Sequence, residues 1–430
     1  VVDARADPRG RRPQRGYSVN LTLCLRGFTA LERVGDADRV HAAAVPLHGR
    51  LVHPLGEAPT WHAYGTRGEA IHSVRRHVLS ALLIDATEAH YGVRFGFRRS
   101  VRHLSVDDAR VTLEDARGQI TDETYDAIIG ADGLRSLTRS VLADRGRLRY
   151  ERRTSTLGFR EIPLGRAEGD AGWIESGALH VWPRGDFMLL GFPNIEGSLT
   201  GALYMPLDGP HSHKALVDDA AIRALFAQHF PDAAPYLSPE PGLRVGEAGR
   251  MTTIFCQPWS DGRRVVLIGD AAHAMLPLYG QGANAGFEDC LTFDACLDAA
   301  ADDWPTAIRD YERRRKGDTD VMARLSEEHA AVLSRGLGDP AHERHQHLTR
   351  LLVEAAPDRC AMLYDMLAFS LLSYAEAERI HRRQAALVDH LLHGELARSP
   401  VDTDAARALL RRHAEDLPPL PPDIHPERST

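Results

Sequence analysis

Residues 264–290, RVVLIGDAAHAMLPLYGQGANAGFEDC, constrain the fold more than any other stretch of the chain. An apolar run from Val265 to Ile268 ends in Gly269-Asp270; small residues, Pro277 and the turn Gly280-Gln281-Gly282 follow. Beyond the turn Phe287, Leu291 and Ala295 recur at four-residue spacing, which places them on one helix face. A buried strand that delivers a carboxylate and then opens through glycines onto a helix N-terminus belongs to an α/β architecture. Its first-turn N–H groups have no partner in the helix's own ladder and are offered to an anionic or electron-rich ligand. A Gly-rich turn alone would more often be an ordinary strand–turn–helix unit. The whole string is far more restrictive.

The bulk properties agree with a large α/β protein. A length of 430 residues exceeds one ordinary core and predicts an α/β unit with a second, closely packed domain. The net charge of −8 repels phosphates on average, which argues against nucleic-acid binding. The basic run Arg313 to Lys316 sits in a charge-mixed helical pattern and reads as a solvated face. The cysteines (Cys24, Cys256, Cys290, Cys296, Cys360) are odd in number and lack CxxC spacing, which suits a reducing cytoplasm better than a disulfide framework. No apolar run is long enough to predict a transmembrane segment. HERHQH at 342–347 reads as a polar helix, and no metal site is expected. The tail LPPLPPDIHPERST is Pro-rich and polar and is expected to fray.

Texture divides the chain into four parts. Residues 1–150 alternate helix-like and strand-like patterns: Arg76 to Ala89 reads as an amphipathic helix, Val93 to Phe97 and Val111 to Leu113 as strands, and Tyr125 to Ala131 as a short buried strand. Residues 151–256 are strand-rich, with Leu179 to Trp182, Phe187 to Phe192 and Leu199 to Met205 forming an antiparallel sheet around one helix near 218–229. Residues 257–303 return to the α/β style. Residues 304–430 are almost wholly helical, with GLGDP as a helix stop.

Several stretches together resemble one family, the kynurenine 3-monooxygenases within the class A flavin hydroxylases. They are GYSVNLTLCLRG (16–27), VPLHGRLVH (45–53), AYGTRGEAIHSVRR (63–76), YDAIIGADGLRSLTR (125–139), LHVWPRGDFMLLGFPNIEGSLT (179–200), the string at 268–290, and MLYDMLAFSLLSYAEA (362–377). The resemblance runs from residue 1 to about 394. It implies a Rossmann-like FAD-binding fold whose first βα unit is missing, with residues 1–150 and 257–303 as FAD domain. An inserted antiparallel substrate domain occupies 151–256 and a helical region 304–430. It implies FAD as cofactor, NADPH and O2 as co-substrates, a small aromatic amino acid as substrate, and transfer of one oxygen atom to an electron-rich ring carbon. Whether the chain forms a homodimer is left open.

Position by position, the resemblance places Asp270 on the ribityl or pyrophosphate side of FAD and Ala283 and Asn284 beside the ring. Arg76 matches a cofactor-holding arginine, and Thr22 and Val101 line the FAD channel. Asp3, with Arg5 alongside, matches the adenosine-ribose contact, and Asp132 the second fingerprint. Arg50, Tyr64 and Tyr364 match the binders of the substrate carboxylate, because a carboxylate wants a guanidinium and phenolic hydroxyls. No residue is assigned a catalytic acid–base role, since the substrate's own amino group activates the ring. His329 stands where the family has a carboxylate-binding asparagine, and imidazole can donate the same hydrogen bond. Tyr17, Tyr204, Tyr279 and Ala283 also depart from the family pattern. They leave open a paralogue acting on a substituted kynurenine or anthranilate. The GxGxxG loop expected before Asp3 is not in the sequence, which suggests a trimmed reading frame or, as an alternative, a cofactor-free relative that serves as a binding protein. No halogenase motif is found.

Overall fold

The computed structural model of the chain describes residues 1–10, 20–165, 176–239, 242–243, 248–335, 340–397 and 404–424. Tyr17 and the GLGD part of the helix stop lie outside the described residues.

The first third builds β1 (Val2–Asp3), β2 (Asn20–Leu23), α1 (Leu25–Arg33), α2 (Ala37–Ala42), β3 (Val45–Leu47), β4 (Gly49–Val52), β5 (Thr60–Ala63), β6 (Ile71–Arg75) and α3 (Arg76–Tyr91). It continues through β7 (Gly96–Phe97), β8 (Ser100–Ser105), β9 (Arg110–Glu114), β10 (Ile120–Thr124), β11 (Ile128–Gly130) and α4 (Leu137–Asp144). The middle holds β12 (Arg149–Leu164), β13 (Ala178–Arg184), β14 (Phe187–Pro193), β15 (Leu199–Pro206), α5 (Asp219–His229), β16 (Gly249–Gln257) and β17 (Val265–Leu267). Helices then take over: α6 (Asp270–His273), α7 (Gly282–Ala299), α8 (Trp304–Arg335), α9 (Pro340–Ala355), α10 (Leu363–Phe369), α11 (Tyr374–His393) and α12 (Asp404–Ala414).

The parallel portion consists of two strand pairs, β1 with β7 and β11 with β17. They share no hydrogen bond, but both lie on the antiparallel β8–β9–β10 meander, where Val2 and Ile128 pack on Leu104, Val111 and Leu113. The strand expected from Tyr125 to Ala131 is therefore shorter than its apolar pattern suggested. Tyr125 is exposed and Ile129 is 48% exposed, because β11 is paired along one edge alone. Val265 to Leu267 on β17 are fully buried, as their unbroken apolar run requires.

The second sheet has seven strands in the order β16-β12-β15-β14-β13-β4-β5, antiparallel apart from the parallel β13·β4 contact. Alternation sorts its side chains onto two faces. Trp182, Phe187, Leu189 and Leu203 pack under α5 with Phe226 and Phe230. Leu157, Leu179, Met188, Phe192 and Tyr204 point the other way, toward Ala330, Leu333 and Ala368 of the helices. Strands β4 and β5 come from the first 150 residues, so Arg50 rides on the same sheet as the 179–200 string. The helical end is denser than its charge suggests. Residues 417–424, expected to fray, are docked instead: Leu420 donates its N–H to Asp358 O at 2.9 Å, and Leu420 and Ile424 join the Met366–Tyr374–Ile380 cluster. Leucine and isoleucine among the prolines supply the apolar area that composition alone discounted.

Candidate active site

Three sequence-selected aspartates lie just past the carboxyl ends of parallel strands: Asp3 ends β1, Asp132 follows β11 and Asp270 follows β17. Ligands of open α/β sheets bind on that side. The three differ in how free they are. Asp270 is exposed and bears no hydrogen bond or ion pair among the described residues. Asp3 is paired with Arg5, Nη2 to Oδ2 at 2.7 Å; burial alone would raise its carboxyl, and Arg5 outweighs that and holds it below the ordinary value. Asp132 accepts from Ser136 Oγ (2.5 Å), Thr138 N (2.9 Å) and Thr138 Oγ1 (3.0 Å), so it organises the entry to α4.

The Gly-rich turn is the best-formed part. Gly280 has φ +65°, and a Cβ there would collide with Thr22 Oγ1. Among the described residues the N–H groups of Gly282 and Ala283 have no acceptor, and a Cβ at Gly282, Gly269 or Gly133 would meet nothing within 4 Å. The helix N-terminus thus faces open space. Asn284, fully buried, faces inward: its Nδ2 donates to Thr22 O and Gly280 O, both 2.8 Å, and its Oδ1 accepts from Cys24 N at 3.0 Å. Its side chain clamps β2 to the turn. Arg76 opens α3, exposed and with no ion pair among the described residues, whereas its neighbour Arg75 is tied to Asn194 and Glu196. Val101 lies on β8 at the surface.

Beneath the turn lies a buried polar network that sequence reasoning missed. Asp289 receives Gly269 N (3.0 Å), His273 Nε2 (2.5 Å) and Arg315 Nε (2.8 Å). Burial pushes the Asp289 carboxyl upward, but His273 and Arg315 more than offset it and leave it below its usual range. Arg315 also reaches Glu288 (2.8 Å) and Asp318 (3.3 Å). Its 3% exposure corrects the reading of 313–316 as a solvated face. Arg315 points inward at the one position of that run where α8 meets α7. Arg26 reaches Glu288 at 2.8 Å, Leu367 O at 3.1 Å and Leu372 O, and its guanidinium lies 4.3 Å from the Tyr374 ring. The Tyr374 hydroxyl donates to Gln281 Oε1 at 3.1 Å. The signal available in sequence was the adjacent acidic pair Glu288-Asp289 in a helix whose first six residues carry no charge.

The other cluster forms across the large sheet. The Arg50 guanidinium lies 5.6 Å from the Tyr64 ring and 5.5 Å from the Tyr364 ring, which stack on each other at 5.1 Å. Phe369 closes the aromatic wall at 5.9 Å from Tyr64. Arg50 is exposed and has no carboxylate within ion-pair distance among the described residues, so a buried ion-pair environment is not what the structure shows. The guanidinium is positioned by ring faces and left open. His329 packs on Tyr279 at 5.0 Å; burial first, then Arg50 and His342, push it down to about 4, so it is neutral at physiological pH. Burial pushes Tyr64 up to about 12 and Asp365, which accepts from Gly65 N at 3.3 Å, up to about 6. Tyr204 is fully buried beside Phe159 at 6.1 Å.

A sequence model described as an FAD binding domain matches residues 204–317. A kynurenine 3-monooxygenase of Salinispora tropica is 37% identical over 421 residues, spanning 96% of this chain and 92% of that protein. The chain belongs to the kynurenine 3-monooxygenase family. Relatives of the same name from Myxococcus xanthus (32% identical; 96% and 89% covered) and Christiangramia forsetii (32%; 91% and 88%) agree. Among solved structures, 2-methyl-3-hydroxypyridine-5-carboxylic acid oxygenase superposes with a TM-score of 0.62 at 21% identity, covering 80% of this chain and 88% of its own. A probable FAD-dependent monooxygenase from Pseudomonas aeruginosa gives 0.60 at 17%, covering 77% and 89%. These two establish the flavin-hydroxylase fold. Family membership makes the chain a flavin-dependent monooxygenase with FAD as cofactor. The open N-terminus of α7, the empty space over three glycines and the unpaired Asp270 and Arg76 fit such a dinucleotide. No helix among the described residues is long and apolar enough to cross a membrane.

Proposed function

We propose that this chain hydroxylates L-kynurenine at ring position 3, using NADPH and O2, in the cytoplasm. The observation that supports it best is the unpaired Arg50 guanidinium held over Tyr64 and Tyr364 at the edge of a buried, mostly apolar cluster. Arg50 takes the substrate carboxylate, and the two phenols, kept protonated by burial, donate to it. Neutral His329 donates a further hydrogen bond. Leu157, Phe192, Tyr204 and Met251 exclude water from the ring.

On the cofactor side, Gly282 and Ala283 N–H groups, Asp270 and Arg76 hold FAD, with Thr22 and Val101 along its channel and Asp3, Arg5 and Asp132 toward its adenosine end. Asn284 acts through the turn it clamps. Bound FAD supplies the redox and oxygen-activating chemistry; the chain supplies position and dryness. No side chain is required as a base, because the aniline nitrogen already makes its ortho carbon electron-rich. In domain terms, 1–150 with 257–303 holds the cofactor and the 151–256 sheet floors the substrate side, where Arg50 and Tyr64 reach in from 1–150 and His329 and Tyr364 from 304–430.

Incubation of the FAD-loaded protein with L-kynurenine, NADPH and O2, followed by mass spectrometry, should yield a product one oxygen heavier. Hydrogen peroxide alone, with kynurenine recovered intact, would sink the proposal. Tyr279 against His329 and Tyr204 on the floor favour a second reading, a ring-substituted kynurenine or anthranilate, which the same assay separates by relative kcat/KM.

A further inference from the structure

The string at 179–200 has a polar half that touches neither the Gly280 turn nor the Arg50 cluster. Along β13 His180, Trp182 and Arg184 alternate with Leu179 and Val181, so the two sets face opposite sides of the sheet. Leu179 and Val181 pack in the cluster that contains Tyr64. His180, Trp182 and Arg184 are buried on the α5 side, and all three converge on His53, the residue that follows β4.

His53 is engaged at each of its functional groups. Its N–H donates to Val181 O at 2.8 Å, and its C=O accepts from Arg184 Nη1 at 2.8 Å. Its ring lies 4.4 Å from Trp182, nearly parallel at 15°. Nε2 is 3.0 Å from His180 Nδ1, and Nδ1 is 3.1 Å from Asp232 Oδ2. Asp232, just past the end of α5, accepts from Trp182 Nε1 at 2.8 Å on that same oxygen. Burial drives its carboxyl upward, but His53 and Trp182 outweigh burial and hold it below the ordinary value.

This anchor bears on Arg50 because β4 has little else to fix it. Gly49–Val52 pairs with Ala178–Val181 on one side and with β5, the exposed edge of the sheet, on the other. Arg50 registers with Leu179, which turns it to the Tyr64 face, three residues before His53 on the opposite face. Its guanidinium meets ring faces and no carboxylate among the described residues, so the strand sets where it can reach. A slip of one residue would carry it to the wrong face.

We propose that Asp232 is a positioning residue for Arg50: through His53 and Trp182 it fixes the end of β4 against β13 and thereby places the guanidinium on the other face. That this placement governs binding of the substrate carboxylate rests on the proposed function; the placement itself does not.

Two measurements on the FAD-loaded protein test it, with Asp232→Ala, Asp232→Asn, Arg50→Ala and the Arg50→Ala/Asp232→Ala double variant. Asp232 is 40% exposed, so its replacement leaves no buried void that would prevent folding. Hydrogen exchange without substrate reads the strand. Residues 49–53 should exchange about tenfold faster in Asp232→Ala, with β14 and β15 unchanged. Titration of L-kynurenine by flavin absorbance reads the consequence. Asp232→Ala should raise Kd about fivefold and leave kcat within about twofold of wild type. Both contacts use one oxygen, so Asp232→Asn, whose amide oxygen can take its place, should bring both readings back near wild type. The double variant should bind no worse than Arg50→Ala. Unchanged exchange in Asp232→Ala overturns the proposal, as does an additive double variant or an asparagine as damaging as alanine. Should Arg50→Ala alone leave Kd at the wild-type value, the carboxylate assignment falls, and exchange of 49–53 by itself decides for or against the anchor.

Discussion

The two shells of this candidate site are built on opposite plans. Around the Gly280 turn the buried side chains of Asn284, Asp289, Arg315, Arg26 and Tyr374 bond one another or the backbone, and what faces the open space is main-chain N–H with the exposed Asp270 and Arg76. Around Arg50 the guanidinium is free, and only ring faces hold it. A large ligand with fixed phosphates is served by rigid backbone donors, which cost no reorganisation. A small, exchangeable acid is better served by a side chain that can come and go.

That contrast predicts a hierarchy. Asp289→Ala removes one of the three carboxylates on buried Arg315 and leaves Gly269 N and His273 Nε2 without their acceptor, and should cost ~3–5 kcal/mol of stability, with loss of flavin on dialysis. A urea midpoint within error of wild type would erase the distinction between the shells. Arg50→Ala should leave that midpoint unchanged and weaken substrate binding by ~1.5–3 kcal/mol, less than removing a buried pair would. Titration by flavin absorbance reads the loss; an altered melt would show that Arg50 is structural. Gly280→Ala should cost ~1–3 kcal/mol, since φ is positive there and Thr22 blocks the methyl group. Flavin retention separates local strain from unfolding.

Smaller effects sharpen the substrate side. Asp365, raised to about 6, becomes anionic near Arg50 as pH rises, so substrate binding should weaken through about pH 6, and Asp365→Asn should flatten the KM profile. A profile unchanged in the variant assigns the titration elsewhere. His329, lowered to about 4, stays neutral above pH 5, so His329→Asn should shift KM by no more than about threefold at pH 7.5. Because its folded value is depressed, His329 gives stability that is present above pH 6.5 and lost on acidification toward 4. His213, also near 4, acts in the same direction.

Legibility in the sequence followed the same division. Short-range patterns were readable: the apolar run of β17, the Gly-rich turn at 280–282 and the strand patterns of β13 to β15 are local consequences of backbone preference. The assembly of Arg50, Tyr64 and Tyr364 was reached through family resemblance, for nothing local says that residue 364 meets residue 64. Arg315 was misread because a helical charge run looks the same whether one member points in or none does. The docked 417–424 tail was missed because two aliphatic residues among prolines outweigh what average polarity suggests.

Arg26 has one more consequence. A single guanidinium fastens α7, through Glu288, to the carbonyls at the end of α10 and the start of α11, the segment that carries Tyr364. Neither lobe owns this rivet, so neither can come apart by itself. Calorimetry should record one sharp endotherm in place of two, with the yellow colour vanishing at the temperature where the aromatic wall disperses.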